Sequence, residues 1–275
     1  MIIWLSSYPK SGNTWVRSII SSLLFTNDGE HTFDNMYQID QYPSRKYFNG
    51  LITDFQDVNQ LKKNWILSQD KINFNRKNKI LKTHHLNCKI NEYEFTNLAN
   101  TLGVIYVVRD PRNIVTSIKH HYSLNDYSHA KRMLFNKQTA IGIGVKDNKE
   151  NNIPTLIGSW SEHYNSWKNT KKNYLLIKYE DLLNNTENEL KNISEYLKKF
   201  FNFNLDNRKI DRILKTTSFD HLKSMENKGL FLENVTNGKN QDKKQFFNLG
   251  SKNNWKKLLD KNTTNEIQEQ FNNEM

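Results

Sequence analysis

The stretch that most constrains the fold lies at the start of the chain. Four apolar residues, Ile2-Ile3-Trp4-Leu5, run into the loop Ser7-Tyr8-Pro9-Lys10-Ser11-Gly12-Asn13-Thr14-Trp15. Val16, Ile19, Ile20, Leu23 and Leu24 then recur at helical spacing. A buried strand that enters a helix through such a loop leaves the first helical N–H groups facing outward, the context of a phosphate-binding loop. Gly12 lets the backbone approach an anion, Lys10 adds a charge and Thr14 a hydroxyl donor. A nucleotide-triphosphate loop would read G-x-x-x-x-G-K-[S/T]. Aligned on Gly12, this loop lacks the first glycine and places Asn13 where that lysine would stand, while Thr14 keeps the hydroxyl. The plainer alternative is an ordinary strand–turn–helix in which Gly12 only makes the turn.

Further short apolar runs read as buried strands: Ile80–Leu81, Val104–Val108 and Tyr174–Ile177. After the third strand, Asp110 stands as N-cap and Pro111 at the first helical position, with Ile114, Val115 and Ile118 on one face. Ile157, Trp160, Tyr164 and Trp167 form another helical stripe. Strands alternating with helices predict an α/β fold, a mostly parallel sheet covered on both faces. Ligands bind such sheets beyond the carboxyl ends of the strands, which singles out the loops beginning at Ser6, Lys82, Arg109 and Lys178.

Composition narrows the class. Fifteen Phe, twelve Tyr and six Trp in 275 residues supply a sizeable core and exclude wholesale disorder. The single cysteine, Cys88, excludes an internal disulfide framework and any multi-cysteine metal site. No apolar run approaches the ~20 residues of a membrane span. Met1–Leu5 is short for a signal peptide and lacks a cationic flank, so a cytoplasmic location is expected. Forty Lys and Arg against twenty-nine Asp and Glu leave a net charge of +11, which predicts affinity for anions without naming one.

Two later motifs carry chemistry. In Val108-Arg109-Asp110-Pro111-Arg112-Asn113-Ile114-Val115-Thr116-Ser117 an arginine leaves a strand end, and Asn113 and Ser117 lie one turn apart on the following helix. An anion there would meet a guanidinium fork and a hydroxyl. In Ile80-Leu81-Lys82-Thr83-His84-His85 a strand again ends in a polar step. A histidine suits proton transfer near neutral pH, and Lys82 falls on the same side of the extended chain as His84.

Tyr8–Trp15 closely resembles the 5′-phosphosulfate loop of sulfotransferases that use 3′-phosphoadenosine 5′-phosphosulfate (PAPS). The Arg109…Ser117 segment looks like that family's 3′-phosphate motif, and Lys82-Thr83-His84 like its base motif. Tyr179-Glu180-Asp181 and Thr217-Ser218-Phe219 are shorter matches. The resemblance runs from about Ile2 to Lys257. It implies a single domain over residues 1–275, a five-stranded parallel sheet related to nucleotide kinases, and in-line transfer of a sulfuryl group from PAPS to an acceptor hydroxyl or amine. By the same resemblance, Lys10, Ser11, Gly12, Asn13, Thr14 and Trp15 bind the donor, with Lys10 and Thr14 on its phosphosulfate. Arg109 and Ser117 take the 3′-phosphate, Trp15, Tyr179 and Thr217 surround the adenine, and Gly250 belongs to the last cofactor segment. His84 is the base, with His85 its nearest competitor, and Lys10 and Lys82 offset developing charge. No metal is implied.

The chain departs from the family in one place. The family usually shows R-K-G-x-x-G-x-W-K, whereas Asn248-Leu249-Gly250-Ser251-Lys252-Asn253-Asn254-Trp255-Lys256 lacks the arginine and the first lysine and has Asn253 for the second glycine. Lys243, Lys244 or Lys252 are the candidates to supply the missing charge. Asn227–Gly250, polar and glycine-bearing, reads as a lid. Asp28–Asn75 and Tyr122–Pro154 read as the segments shaping the acceptor site, with Tyr37, Tyr42, Tyr47, Phe48, His120, His121, Tyr122 and Phe135 to suit a sugar, a phenol or a lipid headgroup. A nucleotide-dependent kinase would need magnesium ligands and a Walker lysine. A nucleic-acid-binding protein would explain the charge but not its dispersal among asparagines.

Overall fold

The computed structural model describes residues 1–145, 149–170, 172–233 and 244–275. Its principal elements are β1 (Ile2–Ser7), α1 (Asn13–Phe25), α2 (Val58–Asn73), β2 (Lys79–Thr83), β3 (Thr101–Val108), α3 (Pro111–His121), α4 (Trp160–Lys168), β4 (Asn173–Lys178), α5 (Tyr179–Asn184), α6 (Thr186–Leu197), α7 (Asn207–Thr216), α8 (Phe219–Asn227) and α9 (Lys261–Gln270). They fall into two compact units: Met1–Asn13 with Ile39–Val108 and Met133–Lys178, and Thr14–Gln38 with Arg109–Arg132 and Tyr179–Met275.

The first unit carries the sheet, in the order β2-β1-β3-β4 with every pair parallel. Among the described residues it has four strands, where the resemblance implied five. Both faces are dry: Ile3 and Leu5 are as completely buried as Ile2 and Trp4, which explains runs that are apolar throughout rather than alternating. Trp4, Tyr106, Leu81 and Phe95 join Leu61 and Trp65 of α2 and Trp167 of α4 in one core. Each such side chain contributes about 1.5–3 kcal/mol by leaving water. Helix α2 begins where the Asp57 carboxylate accepts from the Asn59 and Gln60 N–H groups. Helix α4 begins in a capping box formed by Ser159 and Glu162. Ile157 therefore precedes the helix, and the expected stripe shortens to Trp160, Tyr164 and Trp167. Register brings the strand ends together, with Ser6 beside Thr83, Ser7 beside Val107 and Val108 beside Lys178.

In the second unit, α3 starts as its sequence requires: the Asp110 carboxylate accepts from the Arg112 N–H, and Pro111 occupies the first turn. Phe33, Met36, Leu222, Phe231 and Phe247 form a separate aromatic core. The Lys209 ammonium donates to the Leu23 and Thr26 carbonyls at 2.9 and 2.7 Å, which satisfies the C-terminal end of α1. Gly250 opens a one-turn 3₁₀ helix at φ 53°, and a Cβ there would stand 2.8 Å from the Phe219 ring. A side chain at this position is excluded twice, by conformation and by space.

Candidate functional site

In the first unit the loop after β1 is held by its own side chains. Tyr8 is buried and its hydroxyl donates to the Met133 carbonyl at 2.7 Å. Lys10 takes a left-handed backbone, φ 68°, and Gly12 lies at φ 101°. A lysine held there stores local strain of the kind that collects at functional sites. Asn13 is turned inward, donating to the Leu5 carbonyl at 3.3 Å and to Ser7 Oγ at 3.2 Å. The residue at the Walker-lysine position thus ties the loop to its strand. Ser11 is fully buried, yet its hydroxyl has no hydrogen-bond partner. A buried orphan hydroxyl is costly unless a ligand completes it.

At the β2 end the two histidines sit in different surroundings. His84 Nδ1 lies 2.7 Å from the Ser7 carbonyl, an acceptor only, so Nδ1 carries the proton and the lone pair sits on Nε2. That tautomer is the one a general base needs. His85 is fully buried, stacked on Phe95 at 4.1 Å between ring centroids, and burial pushes its pKa down to about 4. Lys82 is buried on the strand beside them.

Behind His84 lies a pair that the sequence reading missed. His163 Nε2 donates to the His84 carbonyl at 3.1 Å, so its Nδ1 accepts from the Tyr106 hydroxyl at 2.8 Å. His163 is fully buried, and desolvation pushes its pKa down to about 3, which keeps it neutral. The signal was a histidine inside the aromatic stripe Trp160–Trp167. Cys88 has its thiol pKa pushed up to about 11 by burial, and among the described residues no three His, Cys, Asp or Glu side chains gather as a metal site.

In the second unit Arg109 is 7% exposed. Its guanidinium lies 4.0 Å from the centre of the Tyr179 ring and donates to Ser117 Oγ at 3.3 Å. Burial pulls its pKa below the usual arginine value, against the opposing pull of Tyr179, Glu180 and Asp110, and it stays a cation. Trp15 meets Tyr179 edge-on at 5.9 Å, and its buried Nε1 has no partner. The structure thus brings Arg109, Ser117, Tyr179 and Trp15 into one linked cluster. Thr217 is fully buried, with its hydroxyl donating to the Ile213 carbonyl of its own helix. Thr14 is nearly buried at the start of α1.

The degenerate last motif is ordered against α3. Asn253 Nδ2 donates to Ser117 Oγ at 2.9 Å and to the Asn113 carbonyl at 3.1 Å. The Trp255 N–H donates to Asn113 Oδ1 at 3.0 Å, and Arg112 lies over the Trp255 ring at 4.0 Å. Lys244 donates to Ser123 Oγ at 2.7 Å, and Lys252 is exposed. Lys243 and the middle of the expected lid, 234–243, lie outside the described residues. Among the residues sought for the acceptor, Tyr42 and Phe48 are fully buried core. Tyr47 donates to Asp40 at 2.8 Å, and Tyr37 accepts from the Leu232 N–H at 2.7 Å.

The family model for the sulfotransferase domain matches residues 2–275. Among curated proteins, Sulfotransferase 1B1 of Canis lupus familiaris is 26% identical over 223 residues, 80% of this chain and 66% of that protein. Sulfotransferase 2A1 of Rattus norvegicus is 27% identical over 233 residues, 83% of this chain and 70% of that protein. The chain thus spans about two thirds of the length of these relatives. Among solved structures, mouse sulfotransferase SULT7A1 complexed with PAP matches with a TM-score of 0.59 at 18% identity, covering 99% of this chain and 85% of that one. Retinol dehydratase in a complex with retinol and PAP matches with a TM-score of 0.60 at 18% identity, covering 98% and 80%. At that identity the likeness is one of fold, a central parallel sheet flanked by helices.

Proposed function

This chain belongs to the sulfotransferase domain family, and from that premise we propose that residues 1–275 act as one domain that transfers a sulfuryl group from PAPS to an acceptor hydroxyl or amine. The observation that carries the reading is the loop after β1. A strained Lys10, a left-handed Gly12 and a buried Ser11 hydroxyl without a partner together suit the binding of an anion. The unpartnered Trp15 Nε1 and the half-buried Ser117 fit the same kind of ligand.

PAPS supplies an activated sulfuryl group, transferred in line to the acceptor as the adenosine 3′,5′-bisphosphate (PAP) departs. Lys10, Ser11, Gly12 and Thr14 bind the phosphosulfate end, where Lys10 stabilises charge on the leaving phosphate. Asn13 serves from behind, by fixing the loop to β1. Arg109 and Ser117 bind the 3′-phosphate, and Trp15 and Tyr179 flank the base. His84, with its proton fixed on Nδ1 by the Ser7 carbonyl, accepts the acceptor's proton on Nε2. Lys82 offsets charge on the transferring group. This chemistry is positioning plus electrostatics.

The test is ligand-dependent melting of the full chain. PAP should raise the midpoint, adding about 2.7 kcal/mol at a hundred times its dissociation constant. ATP with magnesium should add less. A larger shift with ATP and magnesium favours the kinase reading instead, and no shift at millimolar PAP overturns the proposal.

A further inference from the structure

We propose that Asn253 is a positioning residue that orients the Ser117 hydroxyl as a donor to the 3′-phosphate, in a segment that lacks the family's arginine and lysine. The inference rests on the donor reading above and concerns a side chain that the family pattern does not have, since a glycine usually stands there.

The geometry is closed on three sides. The Asn253 amide nitrogen faces the Asn113 carbonyl at 3.1 Å, which can only accept, so the orientation of the amide is set. Its oxygen then faces the Thr116 hydroxyl, which lies 2.6 Å away. The same amide nitrogen donates to Ser117 Oγ at 2.9 Å, while Arg109 donates to that oxygen at 3.3 Å. A serine hydroxyl has two lone pairs and one proton. Both lone pairs of Ser117 are engaged by N–H donors, which leaves the proton to give. In a helix a serine ordinarily turns that proton back onto the carbonyl four residues earlier. Here that carbonyl is Asn113's, and the Asn253 amide at 3.1 Å and the Thr116 hydroxyl at 2.7 Å already occupy it. A phosphate oxygen, an acceptor only, is the complementary partner for the remaining proton beside a buried guanidinium. With Thr116 sharing the Asn113 carbonyl and Arg109 on the second lone pair, the Asn253 amide completes the set of contacts that leaves the Ser117 proton to be donated outward. Among the described candidates for the missing charge, Lys244 donates to Ser123 and Lys252 is exposed.

The experiment compares PAP with adenosine 5′-monophosphate, which lacks the 3′-phosphate, by titration calorimetry on the full chain. The unsubstituted protein should prefer PAP. Asn253→Ala should cut that preference about tenfold or more, the loss expected for a hydrogen bond to a charged group, and leave the monophosphate affinity unchanged. Asn253→Gly, which restores the family's residue, should do the same and guards against an alanine variant that does not fold. In a Ser117→Ala background either change should add little, because the amide acts through the hydroxyl. Equal weakening of both ligands, or a full loss that persists without the Ser117 hydroxyl, shows a merely structural role and overturns the inference. A chain that prefers PAP and keeps that preference in both Asn253 variants overturns this inference alone. A chain with no preference for PAP overturns the donor reading and this inference with it.

Discussion

His84 and His85 are neighbours in the chain, and alternation along an extended backbone sends their side chains to opposite sides. His85 follows Leu81 into the core against Phe95 and Trp65, whereas His84 follows Lys82 to the strand end and meets Ser7. The two substitutions should therefore behave differently. His84→Ala should retain PAP binding and lose about 10²–10⁴-fold in transfer rate, the usual span for a general base. His85→Ala should lower the melting midpoint by leaving a cavity against Phe95, with activity retained wherever the protein stays folded. Loss of transfer in a folded His85→Ala, with His84→Ala active, would reverse the assignment. The residue types were legible in the sequence. Which ring nitrogen carries the proton was not, because it depends on a carbonyl 77 residues away.

Helix α3 shows how an element turns a sequence signal into a site. Asp110 does three things at once: it caps the helix through the Arg112 N–H, pairs with the Arg112 guanidinium at 2.7 Å, and offers its own N–H to Glu180 at 3.1 Å. Asp110→Ala should cost about 1–2 kcal/mol in urea unfolding, from the lost cap and the freed guanidinium. Asp110→Asn keeps a capping oxygen and should cost less than half as much; equal losses would show that the cap is not what matters. Asp and Pro at successive positions made the start of this helix readable, as strong local signals do. The last motif was harder to read. Its missing basic residues looked like degradation, yet Asn253 and Trp255 are bonded to Asn113 on α3, some 140 residues away. No local pattern encodes such a contact.

Across the whole molecule, three buried histidines set a dependence on pH. Burial pushes His31 and His85 down to about 4 and His163 down to about 3, from 6.5. Well above pH 6.5 these rings are neutral whether the chain is folded or not. As the pH falls from 6.5 toward 4 the unfolded chain takes up protons that the folded chain refuses, so stability should decline by on the order of several kcal/mol. Urea midpoints at pH 7.5 and 5.0 check this, and His85→Phe, which keeps the ring stack, should flatten the slope. Equal midpoints at the two pH values would refute it. The sequence by itself determined the strand–loop–helix that opens the chain, the α/β alternation and the residue types at three strand ends, because those follow from local periodicity and from glycine, proline and capping chemistry. Only the tertiary structure decided the four-strand order, the inward turn of Asn13, the burial of His85, the support of His84 by His163, and the tie between Asn253 and Ser117. All but the turn of Asn13, which is set within its own loop, are contacts between segments well apart in the chain, and burial and hydrogen-bond satisfaction, which choose among such contacts, are properties of the packed molecule rather than of any local run of residues.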